Sequence, residues 1–353
     1  LYKVTHNAAY LDAVQKTVND IANTEINVAG SGSAFESWYS GRKYQTSPTY
    51  HTMETCVTFT WMQLCDKLLA LTGNPFYADQ IEKSLYNALM AALKDDASQI
   101  AKYSPMEGHR CEGEEQCGMH INCCNANGPR AFALIPDFAV KKMGNEVYVN
   151  YYGDMSASLE NGHNKVLVKQ HTTYPVSNVI DITIDVTKEN VFGLHLRVPV
   201  WSAQTVITLN GEELKDICPG TYHAITRKWK KGDHIQIILD MPARLLEQNQ
   251  MQAIVRGPIV LARDSRFNDG FVDETLVVDS EDGIVKAEVD SVPGFAWMRL
   301  KVPVTVGTDL EGVGMYRNIS FCDFASAGNT WDKQVRYRVW IPRTLDVKKG
   351  HLK

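Results

Sequence analysis

No apolar run in this 353-residue chain approaches the ~20 residues needed to span a bilayer. Nor is there a surplus of basic charge. The 36 Lys/Arg residues are outnumbered by 41 Asp/Glu, the net charge is −5, and the basic positions are scattered. No field of that sign or size draws in nucleic acid or an anionic membrane. The one short basic run, Arg227-Lys228-Trp229-Lys230-Lys231, reads as the exposed end of a β-hairpin. Low-complexity tracts are missing, and so is any helical repeat. A disulfide framework is not indicated either, because six of the eight cysteines crowd between Cys56 and Cys124 instead of spreading along the chain. The chain starts at Leu1-Tyr2 in what reads as a helix pair, with neither initiator Met nor signal peptide. We expect it to be a fragment or processed chain with an upstream part elsewhere, so the missing leader does not bear on compartment.

What is present is an ordinary globular composition, 44% hydrophobic and 22% charged, long enough for two or three domains with real cores. Residues 1–143 read as helical. Ala9, Leu11, Val14, Val18 and Ile21 fall at the three- and four-residue steps of one helix face. A second helix runs from Thr52 to Leu71 and stops at Thr72-Gly73-Asn74-Pro75, a glycine cap followed by proline. A third spans Phe76 to Leu93. The tract from Lys94 to Asn122 has no period and reads as a long loop, a kind of segment that tends to be functional. A further helix is expected from near Asn127 to Lys142.

From Val147 the pattern changes to short strands, with hairpin turns expected at Asn210-Gly211 and at Lys231-Gly232-Asp233. This spacing predicts an antiparallel β-sandwich over 144–264 and, after a break near Asp264, a second β-rich unit over 265–353. The expected fold is therefore α+β and multidomain. Trp201, Trp229, Trp297, Trp331 and Trp340 read mostly as β core, and His163, His171, His195, His223 and His234 as strand or turn residues without a role.

The unusual residues centre on the adjacent pair Cys123-Cys124, read with Glu54 and Cys56. Vicinal cysteines rarely bond each other, but they can offer two thiolates to one ion. Glu54 and Cys56 are two apart and would point to different faces of a regular helix, so both should lie at a helix entrance. The Ser47-Pro48-Thr49-Tyr50 stretch before them fits such a boundary. Cys123 and Cys124 also precede a helix, whose N-terminal N–H groups favour thiolate. These residues suggest a Glu/Cys3 zinc site, either structural or with one reactive thiolate. The alternative is a set of buried free cysteines with no metal. A filled site would carry two formal negative charges, to be offset by Arg110, Arg130 or protonated His120. Glu36, set in a Gly/Ser loop among Phe35, Trp38 and Tyr39, is a candidate general acid beside an aromatic sugar platform, or a solvated loop glutamate. Cys111 and Cys117 either pair with each other or join the metal region.

At Leu1-Tyr2-Lys3-Val4-Thr5, Gly30-Ser31-Gly32-Ser33, Glu54-Thr55-Cys56, Tyr86-Asn87 and Cys123-Cys124-x-x-Asn127-x-x-Arg130 the chain resembles glycoside hydrolase family 127, the β-L-arabinofuranosidases, with families 142 and 146 nearby. Leu196-Arg197-Val198-Pro199-Val200-Trp201, Leu209-Asn210-Gly211-Glu212 and Val255-Arg256-Gly257-Pro258 are similar to the same family. The resemblance implies the C-terminal part of an (α/α)6 barrel followed by β-sandwich domains. It implies a zinc-dependent retaining glycoside hydrolase acting on terminal β-L-arabinofuranosyl or related plant cell-wall sugars. Glu54, Cys56, Cys123 and Cys124 would hold Zn2+, Cys123 would be the nucleophile, and Glu36 the acid/base. Glu82, Tyr103 and Trp38 would contact sugar. The rival reading is a non-catalytic carbohydrate-binding protein with a structural zinc. The expected partners are an oligo- or polysaccharide and the missing N-terminal half of the barrel, with a homodimer kept open. Bacterial relatives of this type are often secreted or periplasmic, and nothing else bears on localisation.

Overall fold

The computed structural model describes residues 1–47, 50–112, 122–161, 164–290, 294–306, 315–343, 345–346 and 351–352. Cys117, His120 and His163, along with Pro48 and Thr49, lie outside the described residues.

The N-terminal part is helical. The helix Ala8–Thr24 begins at Asn7, whose side chain accepts the Ala9 N–H, and it buries Val18 and Ala22. Thr55–Thr72 follows Glu54 at its N-cap and ends at Gly73, in the left-handed conformation (φ 66°), with its N–H on Leu69 O. Phe76–Ser84 continues into a π-helical turn at Leu85–Leu89, so the expected third helix is regular only in its first half. Cys124–Ala139 is the last helix. It starts earlier than the sequence reading placed it and stops earlier too. Val140–Met143 is instead a strand hairpinned onto Glu146–Val149 around Gly144, because β-branched Val140 finds a ladder partner in Val149. Phe59, Trp61, Leu68, Leu69, Ile81, Leu85 and Phe138 form the helical core.

Two sheets follow and share one core. The first runs in the order 221–229, 190–198, 146–149 and 140–143. The second runs 155–161, 164–171, 179–186, 233–238, 206–209 and 212–213. All pairs are antiparallel except Glu146–Val149 against Asn190–Val198. Alternation drives the burial: along Val179–Val186 every second residue (Ile180, Ile182, Ile184, Val186) points inward to meet Val166, Val168, Leu194, Leu196, Trp229 and Ile235. Asn210-Gly211 is the hairpin turn expected. Lys231-Gly232-Asp233 is not. Thr221–Trp229 pairs in the first sheet and Asp233–Ile238 in the second, so this tight turn, closed by Asp233 accepting the Lys230 N–H, hands the chain from one sheet to the other.

The third sheet takes the strands from Ala243 to Pro342, so Ala243–Asp264 pairs within it and not with the strands before it, while Leu345–Asp346 and His351–Leu352 pair with each other. It also reaches back. Glu107–Gly108, in the long loop before the cysteine pair, pairs with Tyr337–Arg338.

The helical part is riveted to the sheets by Arg197. This fully buried guanidinium binds Asp79 and Glu82 of the Phe76–Ser84 helix, while its Nε donates to Asn150 O at 2.7 Å.

Candidate functional site

The segment 29–37 is shaped before it carries chemistry. Gly32 passes so close to the Glu25 carbonyl that a Cβ would lie 2.1 Å from its oxygen, which excludes any side chain there. Phe35, Glu36 and Met53 all adopt positive φ (48°, 67° and 57°), a conformation that costs about 1 kcal/mol or more at each non-glycine residue and that clusters at ligand and active sites. The turn is tied to the segment ahead of Glu54 by Phe35 N–H on His51 O, with the Phe35 and His51 rings stacked at 4.4 Å. Ser33 secures Glu54 itself: its O accepts the Met53 N–H and its Oγ the Glu54 N–H.

Glu54 is thus the N-cap residue and Cys56 the second residue of the Thr55–Thr72 helix. Cys123 is the N-cap of the Cys124–Ala139 helix, and Asn122 supplies the side-chain cap to Asn125 N–H. The two helix starts meet. Cys56 Sγ lies 2.9 Å from Cys123 Sγ and 3.4 Å from Cys124 Sγ, and Glu54 Oε1 lies 3.7 Å from each of the latter two. All four donor atoms fall within 4.8 Å of one another. A tetrahedral zinc with Zn–S bonds of about 2.3 Å sets sulfur–sulfur edges of about 3.8 Å, so the cluster has the size and the donor types that a metal ion of this kind takes.

Electrostatics divide the thiols. Hydrogen bonds from Cys124, Cys123 and Asn127 draw Cys56 down to about 5, despite its partial burial. Burial and the hydrogen bond with Cys56 push Cys123 up to about 11, and the same two causes in the opposite order raise Cys124 further. Glu54 is raised to about 7 by burial and by the negative charges of Cys56 and Glu36. Negative charge is favoured on Cys56 over the other donors, and a cation would stabilise the anionic form of all four. Exposure divides them as well: Cys124 is fully buried, Cys56 is intermediate, and Cys123 opens to solvent.

Around the cluster, Lys102 reaches Glu36 Oε1 at 3.1 Å, and its carbonyl accepts the Thr55 N–H at 2.9 Å. Tyr103 bridges Glu54 through the backbone, sets its ring 5.0 Å from His51 edge-on, and lies under the Lys102 ammonium at 5.2 Å. Glu36 and Tyr103 therefore gather at the Glu54 side of the cluster. Trp38 is 47% exposed on the loop that carries Glu36. Glu82 lies elsewhere. It is buried against Arg197 and the Tyr174 hydroxyl, at the edge of a cavity of about 310 Å³ with Trp201, Asn27 and Lys83 in its wall and none of the four cluster residues.

Arg110 does not offset the cluster charge. It is buried between the Phe324 and Tyr337 rings and donates to the Phe324 and Ala327 carbonyls, its pairing dictated by segments far away in sequence. Arg130 stands one step removed, donating to Asn127 Oδ1 at 2.9 Å while Asn127 Nδ2 donates to Cys56 Sγ at 3.1 Å. Cys111 contacts the Tyr50 hydroxyl, and no disulfide joins two of the described cysteines. Lys102 and the hydrogen-bonding role of Asn127 were missed in the sequence reading. The i, i+3 spacing of Asn127 and Arg130 just after the cysteine pair was a usable sign of the second, whereas nothing local marked Lys102.

Comparison with known proteins bears on the fold and the family. Residues 1–137 match the family model described as β-L-arabinofuranosidase, GH127 catalytic domain, and residues 146–241 match the GH127 middle domain. A non-reducing end β-L-arabinofuranosidase of Bifidobacterium longum subsp. longum is 24% identical over 62% of this chain and 36% of its own. A solved GH127 β-arabinofuranosidase superposes with a TM-score of 0.82 at 22% identity, over 99% of this chain and 58% of the other. A GH127 β-L-arabinofuranosidase from Geobacillus stearothermophilus T6 superposes at 0.77 and 18% identity, over 93% and 55%. The chain thus spans between about a third and three fifths of the length of these relatives. Matched by two consecutive domains of one family in their proper order, it belongs to glycoside hydrolase family 127.

Proposed function

We propose that this chain is the C-terminal portion of a zinc-dependent retaining glycoside hydrolase acting on terminal β-L-arabinofuranosyl or related plant cell-wall sugars. The observation that carries this reading is the convergence of Glu54, Cys56, Cys123 and Cys124 within 4.8 Å at two helix starts. The helical part would complete an (α/α)6 barrel with upstream helices. Leu1 and Val4 at the start of the chain, and Tyr10 and Val14 on the Ala8–Thr24 helix, are exposed and are the surface such helices would cover.

In this reading Glu54, Cys56, Cys123 and Cys124 hold the metal. When bound, zinc supplies the positive charge that keeps Cys123, otherwise a protonated thiol, as thiolate. The Cys123 Sγ, the exposed sulfur of the three, attacks the anomeric carbon and forms a C–S bond as the glycosidic C–O bond breaks. Glu36 gives its proton to the departing oxygen. It then takes one from the water that displaces Cys123, so the configuration is retained. Tyr103 and Trp38 are the sugar contacts of this reading, and Glu82 would be a further one from the wall of its own cavity.

A non-catalytic carbohydrate-binding protein with a structural zinc is favoured by one observation: Glu36 is engaged by the Lys102 ammonium instead of standing free. Zinc content per chain, together with the rate of Cys123 alkylation, separates the two. About one zinc, rapid alkylation slowed by an arabinofuranoside analogue, and hydrolysis of aryl β-L-arabinofuranoside once the upstream portion is supplied would establish the enzyme. Zinc with a slow, unprotected Cys123 would favour the binding protein. Absence of zinc in the completed chain would overturn both.

A further inference from the structure

Glu54 and Cys56 are two residues apart, which on a helix turns their side chains by about 200° from each other. Glu54 escapes this because it is the non-helical N-cap residue, but Cys56 is inside the helix and needs another reason to face the cluster. The structure supplies one. Asn127 Nδ2 donates to Cys56 Sγ at 3.1 Å, and Arg130 Nη1 donates to Asn127 Oδ1 at 2.9 Å. A guanidinium has donors only, so it must face the amide oxygen, and this leaves the NH2 group pointing at the sulfur. Arg130 is in turn seated over the Phe59 ring at 4.8 Å. Cys56 and Phe59 are an i, i+3 pair on one helix, Asn127 and Arg130 an i, i+3 pair on the other. The two pairs clasp face to face.

We propose that Asn127, oriented by Arg130, is a positioning residue that holds Cys56 as the fixed sulfur of the metal site, leaving Cys123 as the sulfur that changes partner. This rests on the metal reading above. An N–H donor stabilises a sulfur carrying negative charge and fixes its rotamer, and partners of this outer kind are worth 10–100-fold in metal affinity.

The test uses the whole chain with Co2+ and Zn2+ as probes. Asn127→Leu keeps the branched shape and removes the donor. It should lower metal affinity, measured by chelator competition, about 10–100-fold and alter the thiolate-to-cobalt charge-transfer spectrum. Arg130→Met should do the same more weakly, and Arg130→Lys should recover part of the loss because a lysine can still donate to Oδ1. A merely structural role would lower the melting temperature of the metal-free protein and leave the cobalt spectrum unchanged. In metal-free protein, alkylation of Cys56 relative to exposed Cys218 should change several-fold in Asn127→Leu. Wild-type affinity and spectrum in Asn127→Leu would overturn the proposal. Should the parent chain bind no metal, the metal reading fails, and an unchanged Cys56/Cys218 alkylation ratio overturns the clasp by itself.

Discussion

Lys102 serves the site from both its ends: its ammonium holds Glu36 at 3.1 Å, and its carbonyl takes the first free N–H of the helix that carries Cys56. The side chain is nearly buried, so the contact with Glu36 is not an incidental surface pair. Lys102→Met keeps the backbone bond and removes only the ammonium. On the proposed reading, turnover with the upstream portion supplied should fall about tenfold or more while the melting temperature stays within a few degrees of the parent. Unchanged kcat would show that Glu36 does not depend on this partner.

The two vicinal cysteines should respond differently to the same change. Cys124 has no exposure, so Cys124→Ser places a hydroxyl in a sulfur's buried position and should lose both metal and about 1–3 kcal/mol of stability. Cys123→Ser, at the exposed position, should keep metal at reduced affinity and abolish hydrolysis. Elemental analysis and thermal melts of the two variants check this in one experiment.

Metal retention should depend on pH with a definite sign. Cys123 and Cys124 are held protonated by burial and by Cys56, so binding an ion must expel their protons. Apparent zinc affinity should therefore rise as pH rises through neutrality, and chelators should strip the protein more readily at pH 6 than at pH 8. Equal stripping at both values would argue against thiol ligands.

Arg197→Met leaves the carboxylates of Asp79 and Glu82 buried without their common cation. The expected cost is about 3–5 kcal/mol, read by urea unfolding. Adding Asp79→Asn and Glu82→Gln should restore much of it. Failure of the triple variant to recover would mean that Arg197 matters through packing against Tyr152 and its bond to Asn150 O.

Lys83 gives a second pH signature. Burial, then the like charge of Arg42, lower its ammonium to about 8. Between that value and its ordinary value near 10.4 the unfolded chain binds more protons, so stability gains from this group as pH rises through that window. Lys83→Met should therefore melt a few degrees above the parent at pH 7, and the difference should shrink towards pH 10.

Local chemistry was legible in the sequence where it was self-contained. The glycine stop at Gly73, the hairpin at Asn210-Gly211, and the placing of Glu54/Cys56 and Cys123/Cys124 at helix entrances all follow from caps and turns within a few residues. Long-range partner choice was not. The Lys231-Gly232-Asp233 turn looks the same whether its strands pair or part, and only the packed sheets decide that they part. Arg110 was read as a site cation from its neighbours in sequence, but its partners Phe324, Ala327 and Tyr337 lie more than two hundred residues on. Lys102 sits in a stretch without period, and only folding brings Glu36 to it.

The pairing of Glu107–Gly108 with Tyr337–Arg338 has a further bearing on how the protein comes into being. Its neighbours tighten the join: Val339 N–H on Met106 O, the Tyr337 hydroxyl on Pro105 O, and Arg338 with Glu107 at 3.0 Å. On a ribosome the cysteine-bearing loop emerges long before the strand that pins it. During that interval the thiols are made but the strand that pins their loop is not. The Glu54, Cys56, Cys123 and Cys124 cluster is therefore finished late in synthesis, with the third sheet as its final fastening.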